Sequence, residues 1–345
     1  MTQRTRYFLA ASGLIVTVGL GAGLMAVYTT GMGSRRAGRL AELSYVPGDV
    51  TAVAYADVRR IMDSEFRQKL RAVLPTGEAK DRLFAETGID VERDIDSATA
   101  GLSPQGLSDA GPVVLLRGRF DAARIEGAAA RHGATPEDYK GKRLLRAPSR
   151  RLNNDAPSGS PSPVDDGESG IAFLEPGLVA LGRMASLRQA IDTAERGDDV
   201  TTNADLMTFV NQVATSGDAW VAGRVDAVSG HSGWSGPVKD HLSGIEWFAV
   251  SAGIDRAVNG RIRLEARDAK AAEELRAVLN GGLAMARMMA GKDARLTALL
   301  DSVKSTGTGT TMELSFTVPP EALDFMTTAH GGVHHGPGAD HPQPQ

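Results

Sequence analysis

GPVVLLRGRFDAARIEGAAARHG, residues 111–133, holds in one run the pattern from which the fold is read. Gly111 to Phe120 clusters Val and Leu as a strand does, and Asp121 stands where a helix needs a side-chain acceptor for its first free N–H groups. The stretch after it is helical. The strand before it, Asp94 to Leu102 within GIDVERDIDSATAGL (88–102), makes the pair a hairpin that ends at a capping aspartate. The same succession returns later as Gly244 to Ile254 (GIEWFAVSAGI), Gly260 to Arg267 (GRIRLEAR) and the helix DAKAAEELRAVLN opened by Asp268. Two matched strand-strand-cap-helix units predict an internal duplication, against the simpler alternative that this succession is common in any α+β chain. The expected fold class is α+β, in two similar halves, each an antiparallel sheet with helices packed on one face.

Upstream of this hairpin, YVPGDVTAVAYADV (45–58) reads as a turn at Pro47-Gly48-Asp49 and a buried strand in which Val53 and Tyr55 alternate with alanines. Asp57 caps a helix carrying Val58, Ile61 and Met62. Asp63 and Ser64 offer a second cap for Phe66, Leu70, Val73 and Leu74, which Pro75 stops. A short helix with Leu83 and Phe84 then ends at Gly88, a position suited to a left-handed cap.

Downstream, KGKRLLRA leads into a polar insertion, PSRRLNNDAPSGSPSPVDDGES from Pro148 to Ser169, whose composition predicts disorder. SGIAFLEPGLVALG follows as an apolar hairpin turned at Glu175-Pro176-Gly177. Helices are expected from Ala185 to Glu195 and after Asn203, with Leu206, Phe209, Val210 and Val213. Asp218 to Val228 then opens the second half as the counterpart of the strand at Thr51. The second half continues in a long helical stretch to Ser305, the strand TTMELSFTV, and a helix opened by Pro319-Pro320.

Before all of this stands YFLAASGLIVTVGLGAGLMAVY, Tyr7 to Tyr28, which runs 22 residues without a charge. At about 1.5 Å per residue a helix of that length spans the roughly 30 Å hydrocarbon core of a bilayer. It is longer than a secretory h-region, and TTGMGSRR after it is a poor cleavage site, so an uncleaved signal-anchor is expected rather than a removed leader. Arg4 and Arg6 precede the span; Arg35, Arg36 and Arg39 follow it. Charge bias therefore mildly favours a cytoplasmic body, while the signal-anchor arrangement with a large C-terminal body favours export. Export is the expectation adopted. Gly19 and Gly23 form one GxxxG, common in membrane helices without further meaning.

The organisation is then a basic flank over 1–6, a transmembrane helix over 7–28 and a juxtamembrane spacer over 29–43. A first α+β half covers 44–216 with a disordered insertion at 148–169, a second covers 217–328, and a disordered His-rich tail occupies 329–345. Hydrophobic residues at 42% and charged residues at 23% suffice for a real core. A net charge of −4 leaves no footprint for nucleic acid, and the absence of cysteine removes disulfides, thiolate metal sites and N-terminal thiol lipidation.

Candidate chemistry is thin. Asp90, Glu92, Asp94 and Asp96 alternate, so a strand would set four carboxylates on one face, yet the Ca²⁺-loop pattern is absent and a solvated run is the plainer reading. His231 and Ser232 in SGHSGWSG lack the second glycine of a nucleophile elbow, Trp234 standing in its place. Gly307 and Gly309 in STGTGTT lack the lysine of a phosphate loop and read as a turn. Met285, Met288 and Met289 share a helix face and, beside Leu275 and Leu283, read as core filler; thioether ligation of copper is the alternative. The weak metal candidates are His330, His334, His335 and His341 of the tail. No catalytic residue and no cofactor is assigned.

On YVPGDVTAVAYADV (45–58), GIDVERDIDSATAGL (88–102), GRFDAARI (118–125) and LVALGRMASLRQAI (178–191), the chain resembles an uncharacterised family of bacterial single-span membrane proteins. The resemblance implies an anchored, exported α+β domain in the inner membrane. With no convergent acid, base and nucleophile, the expected role is a non-enzymatic extracytoplasmic module binding a protein or envelope component through a sheet edge or apolar groove. The alternative is a binder of lipid or another small apolar ligand between the sheet and the helices around Leu275 to Val303.

Overall fold

The computed structural model of the chain describes residues 41–73, 84–85, 88–102, 111–147, 169–225, 244–291 and 294–320. No helix among them is long and apolar enough to cross a membrane; the expected span over 7–28, the insertion, the Ser-His pair and the His-rich tail lie outside the described residues, Ser169 excepted.

The chain opens with a 3-10 turn at Ala41–Tyr45, then runs β1 (Ala52–Asp57), α1 (Val58–Asp63), α2 (Glu65–Val73), α3 (Val91–Asp94), β2 (Ile95–Leu102), β3 (Val113–Gly118) and α4 (Ala122–Arg131). It continues through β4 (Thr135–Tyr139), β5 (Lys142–Arg146), β6 (Ser169–Glu175), β7 (Leu178–Arg183), α5 (Met184–Arg196) and α6 (Ala204–Val213). The last part is β8 (Ala219–Arg224), β9 (Ile245–Ile254), β10 (Val258–Ala266), α7 (Ala269–Ala290), α8 (Ala294–Ser302), β11 (Lys304–Thr306) and β12 (Thr311–Val318).

The expected caps are where the helices start. Asp57, Asp121, Asn203 and Asp268 accept from the N–H groups of Arg60, Arg124, Leu206 and Ala271 at 3.2, 3.0, 3.1 and 2.8 Å. Each satisfies a donor that the first helical turn leaves free, worth about 1 kcal/mol. Ser64 does the same for Arg67 at 3.1 Å. Gly88 takes φ 72°, and its N–H closes on the Phe84 carbonyl at 2.8 Å, a left-handed cap that a side chain would strain.

The described strands form one antiparallel sheet of 12, in the order β11-β12-β10-β9-β8-β1-β2-β3-β7-β6-β5-β4. The expectation of a separate sheet for each half is corrected by the pairing of β1 with β8, Ala54 against Val221, which joins the two. An Ala-rich strand with an open edge on each side gains a full ladder by this junction. The helices also divide. Val53, Tyr55, Leu115, Leu178, Trp220 and Ala222 point to a core closed by the 41–50 segment, α5 and α6. Phe248, Val250, Ile262, Met312 and Leu314 point the other way, to a core closed by α7 and α8. Ala249 belongs to the first core and its neighbours Phe248 and Val250 to the second, as the alternation of a strand requires.

Two boundaries shift. Glu42 and Leu43, assigned by sequence to the spacer, are buried, and Glu42 pairs with Arg117 of β3 at 2.5 Å. The helical stretch expected to run to Ser305 breaks at Gly291, and Lys304–Thr306 is an edge strand instead. The strand β4, TPEDY, escaped the sequence reading because Pro136, Glu137 and Asp138 have low strand propensity and belong to an edge, where Pro and charge are tolerated.

Candidate interaction surface

The α5 face of the sheet is closed in the first half, so interest falls on the α7 face. Helix α7 is long because DAKAAEELRAVLNGGLAMARMMA is rich in Ala, Leu, Glu and Arg, strong helix formers. Its surface divides into three sectors. Ala272, Leu275, Leu283 and Ala290 are buried against the sheet. Glu273, Asn280 and Arg287 are exposed polar positions on a second sector. On a third lie Val278, Gly281, Gly282, Met285, Met288 and Met289, which fall in two rows of 3- and 4-residue steps, 278-281-285-288 and 278-282-285-289, and so stack on one side. Met285, Met288 and Met289 are 58%, 77% and 45% exposed. The expectation that these methionines fill the core beside Leu275 and Leu283 is thus corrected. The two leucines, eight residues apart, define the buried line, and the methionines fall on the neighbouring sector.

The same face carries a second apolar area. Val114 of β3 sits across from Leu181 of β7 and Ala100 of β2, just as Ile262 of β10 sits across from Leu314 of β12 and Val250 of β9. Over β10 this layer is shut by Leu275 and Leu283. Over β3 the corresponding helix is α4, shorter than α7 and set outward over β5, where Glu126 reaches Arg143 at 3.5 Å. Val114, Phe120, Ile171, Phe173 and Leu181 are left half-buried around a small core of Ile95, Ala98, Leu116 and Val179.

The carboxylates of the acidic run are engaged structurally. Asp90 caps α3 through the Glu92 N–H at 2.9 Å, and Asp94 accepts from the Asp90 N–H at 2.8 Å. Glu92 pairs with Arg67 at 3.4 Å, Asp94 with Arg119 at 3.5 Å and Asp96 with Arg59 at 2.5 Å. The acidic run is therefore a helix turn and a strand start whose carboxylates diverge to separate partners. Tyr45 donates to Glu175 at 2.9 Å; burial first, and then that carboxylate, push its phenol up to about 12. Gly307 and Gly309 lie in the turn between β11 and β12. Among the described residues no group of three or more His, Asp or Glu converges as a metal site.

No protein-family model matches the chain, and no curated protein matches it in sequence. The solved structure of crystal form I of TP0453 is similar at 8% identity and a TM-score of 0.44, covering 84% of this chain and 97% of that one. At that level the likeness carries no argument about fold or role.

Proposed function

We propose that the protein is a single-pass, signal-anchored protein of the bacterial inner membrane, and that its body is a non-enzymatic periplasmic module binding a protein or envelope component through the apolar surface of the α7 face. The observation that carries this reading is the exposed line Val278, Met285, Met288 and Met289. Methionine is flexible and polarisable, and an exposed row of it suits a surface that must fit another apolar surface. The other route considered, pairing at a sheet edge, has less support. β4 carries Pro136, Glu137 and Asp138, and β11 is only three residues long, both of which blunt an edge. Binding of a small apolar ligand between sheet and helices also has less support, because Leu275, Leu283, Val303, Met312 and Phe316 pack that space.

An internal duplication belongs to the same reading. Outward from the middle of the sheet, β1, β2, β3 and β7 mirror β8, β9, β10 and β12, and a helix capped by Asp121 or Asp268 follows the third strand in each case. This order supports descent of both halves from one unit.

A photo-crosslinking residue placed at Met288 should give a discrete adduct in cells, and one at Arg261, on the opposite face, should not. The adduct should disappear in a Met285→Ser, Met289→Ser background that leaves the fold intact. Equal labelling from both positions would defeat the assignment. Topology is tested separately: a phosphatase reporter fused after Met326 should be active and a cytoplasmic fluorescent reporter there dark. The reverse pair of outcomes would move the body, and its partners, to the cytoplasm.

A further inference from the structure

The exposed row of α7 has a shape and an order of charge that fit a copy of itself. Val278, Met285 and Met288 project from it, and Gly281, between the first two, leaves a gap one side chain wide. An added Cβ at Gly281 or Gly282 meets nothing within 4 Å, so packing within one chain calls for neither, and each weakens the helix relative to alanine. The row is open. Arg276, which donates to the Gly309 and Thr311 carbonyls at 2.6 and 3.0 Å, and Arg287, which meets Asp301 of α8 at 3.5 Å, lie along one line of α7. That line is on the side opposite the methionines, so α8 and the turn between β11 and β12 stand away from them. The row itself carries no charge. In the sequence it is bounded by Glu274 before it and Lys292 after it. An antiparallel copy brings those opposite charges together at both ends, whereas a parallel copy would bring like charges together.

We infer that the occupant of this row is a second copy of the chain, docked helix against helix in antiparallel order about a twofold axis. Met285 of each copy sits on Gly281 of the other, and Val278 lies against Met288, the pairing that 3- and 4-residue steps give two antiparallel helices. The inference rests on the reading of α7 as an interaction surface and names what that surface takes. Glycine lets the facing backbone approach, and the unbranched thioether of methionine fills the gap without a fixed shape. The contact is isologous: one patch serves both copies, and the pair closes on itself. From 278 to 289 the row is about 16 Å long. One helix row of that length buries less than the roughly 800 Å² per partner of a stable soluble complex. The pair is therefore weak between freely diffusing bodies and favoured between copies anchored in one membrane, where the effective concentration is high.

The chain contains no cysteine, so introduced thiols report alone. Two full-length copies with different tags are co-expressed, one carrying Val278→Cys and the other Met288→Cys, and the isolated membranes are mildly oxidised. A disulfide joining the two tags is expected, with about tenfold less from either variant by itself, because 278 faces 288 and neither faces its own counterpart. Adding Gly281→Leu to both copies should cut the yield about tenfold while circular dichroism stays the same, since the leucine fills the gap that Met285 enters. Self-crosslinking of Met288→Cys at the mixed yield would mean a parallel pair and overturn the inference, as would an unchanged yield with Gly281→Leu. Absence of any disulfide also overturns it, and the photo-adduct from Met288 then separates the two readings. An adduct with a different protein leaves α7 as an interaction surface and removes only the second copy; no adduct at all removes both.

Discussion

The two halves of the sheet share a strand order and differ in how they are filled. Around β1, β3 and β7 the core side chains Leu43, Leu115, Leu144, Leu178 and Leu187 have no exposed surface, whereas around β10 and β12 Leu275, Leu283, Leu314 and Phe316 keep 6–9% each. The difference follows from what covers them. In the first half α5 and the 41–50 segment close the core, and α6 continues the cover over β8 and β9. In the second, α7 and α8 lie on the sheet as a helical pair, and one sector of α7 is methionine-rich and exposed. One half is thus built for rigidity and the other for surface. Side chains sealed from solvent set the frame, and those with slight exposure sit next to the candidate docking line.

The largest expected effect that would sharpen this contrast is in core truncation. Leu115→Ala should cost about 3–5 kcal/mol, because the packed surroundings cannot collapse into the hole. Leu275→Ala should cost nearer about 2 kcal/mol, since the helix above it can settle. Denaturant unfolding reads both, and equal costs would break the comparison. A smaller effect lies in α7 itself. An added Cβ at Gly281 or Gly282 meets nothing within 4 Å, so neither glycine is required for packing. Gly281→Ala and Gly282→Ala should each stabilise by about 0.5–1 kcal/mol through helix propensity alone. A loss of stability would mean that α7 is not a continuous helix there.

Much of the fold was legible because it is written in local signals. Asp57, Asp121, Asn203 and Asp268 fix helix starts from within one turn, and the run Glu175-Pro176-Gly177 fixes a hairpin with Gly177 at φ 76°. Three things were not legible. The joining of β1 to β8 depends on partners far apart in the chain, about which local periodicity is silent. The direction in which each half buries its face is decided by which helix reaches it, and Val114 and Ile262 look alike until α4 proves shorter than α7. The methionines of α7 were misplaced because an apolar residue at helical spacing has two possible sides, and only the position of Leu275 and Leu283 against the sheet chooses between them. For the candidate surface the sequence could have offered one further signal: a helix apolar on more than one side has more than its own core to serve.

The pairing of β1 with β8 also sets a clock. From residue 57 to residue 219 the ribosome must add everything that lies between the two strands, about 10–30 s at ordinary rates of synthesis. Throughout that interval one side of Ala52–Asp57 has no neighbour, and its residues Ala52 to Ala56 carry no charge or proline to keep other strands away. The nascent chain is most exposed to misassembly in this interval, and a chaperone or translocation factor that holds it unpaired until residue 224 has been made would protect it.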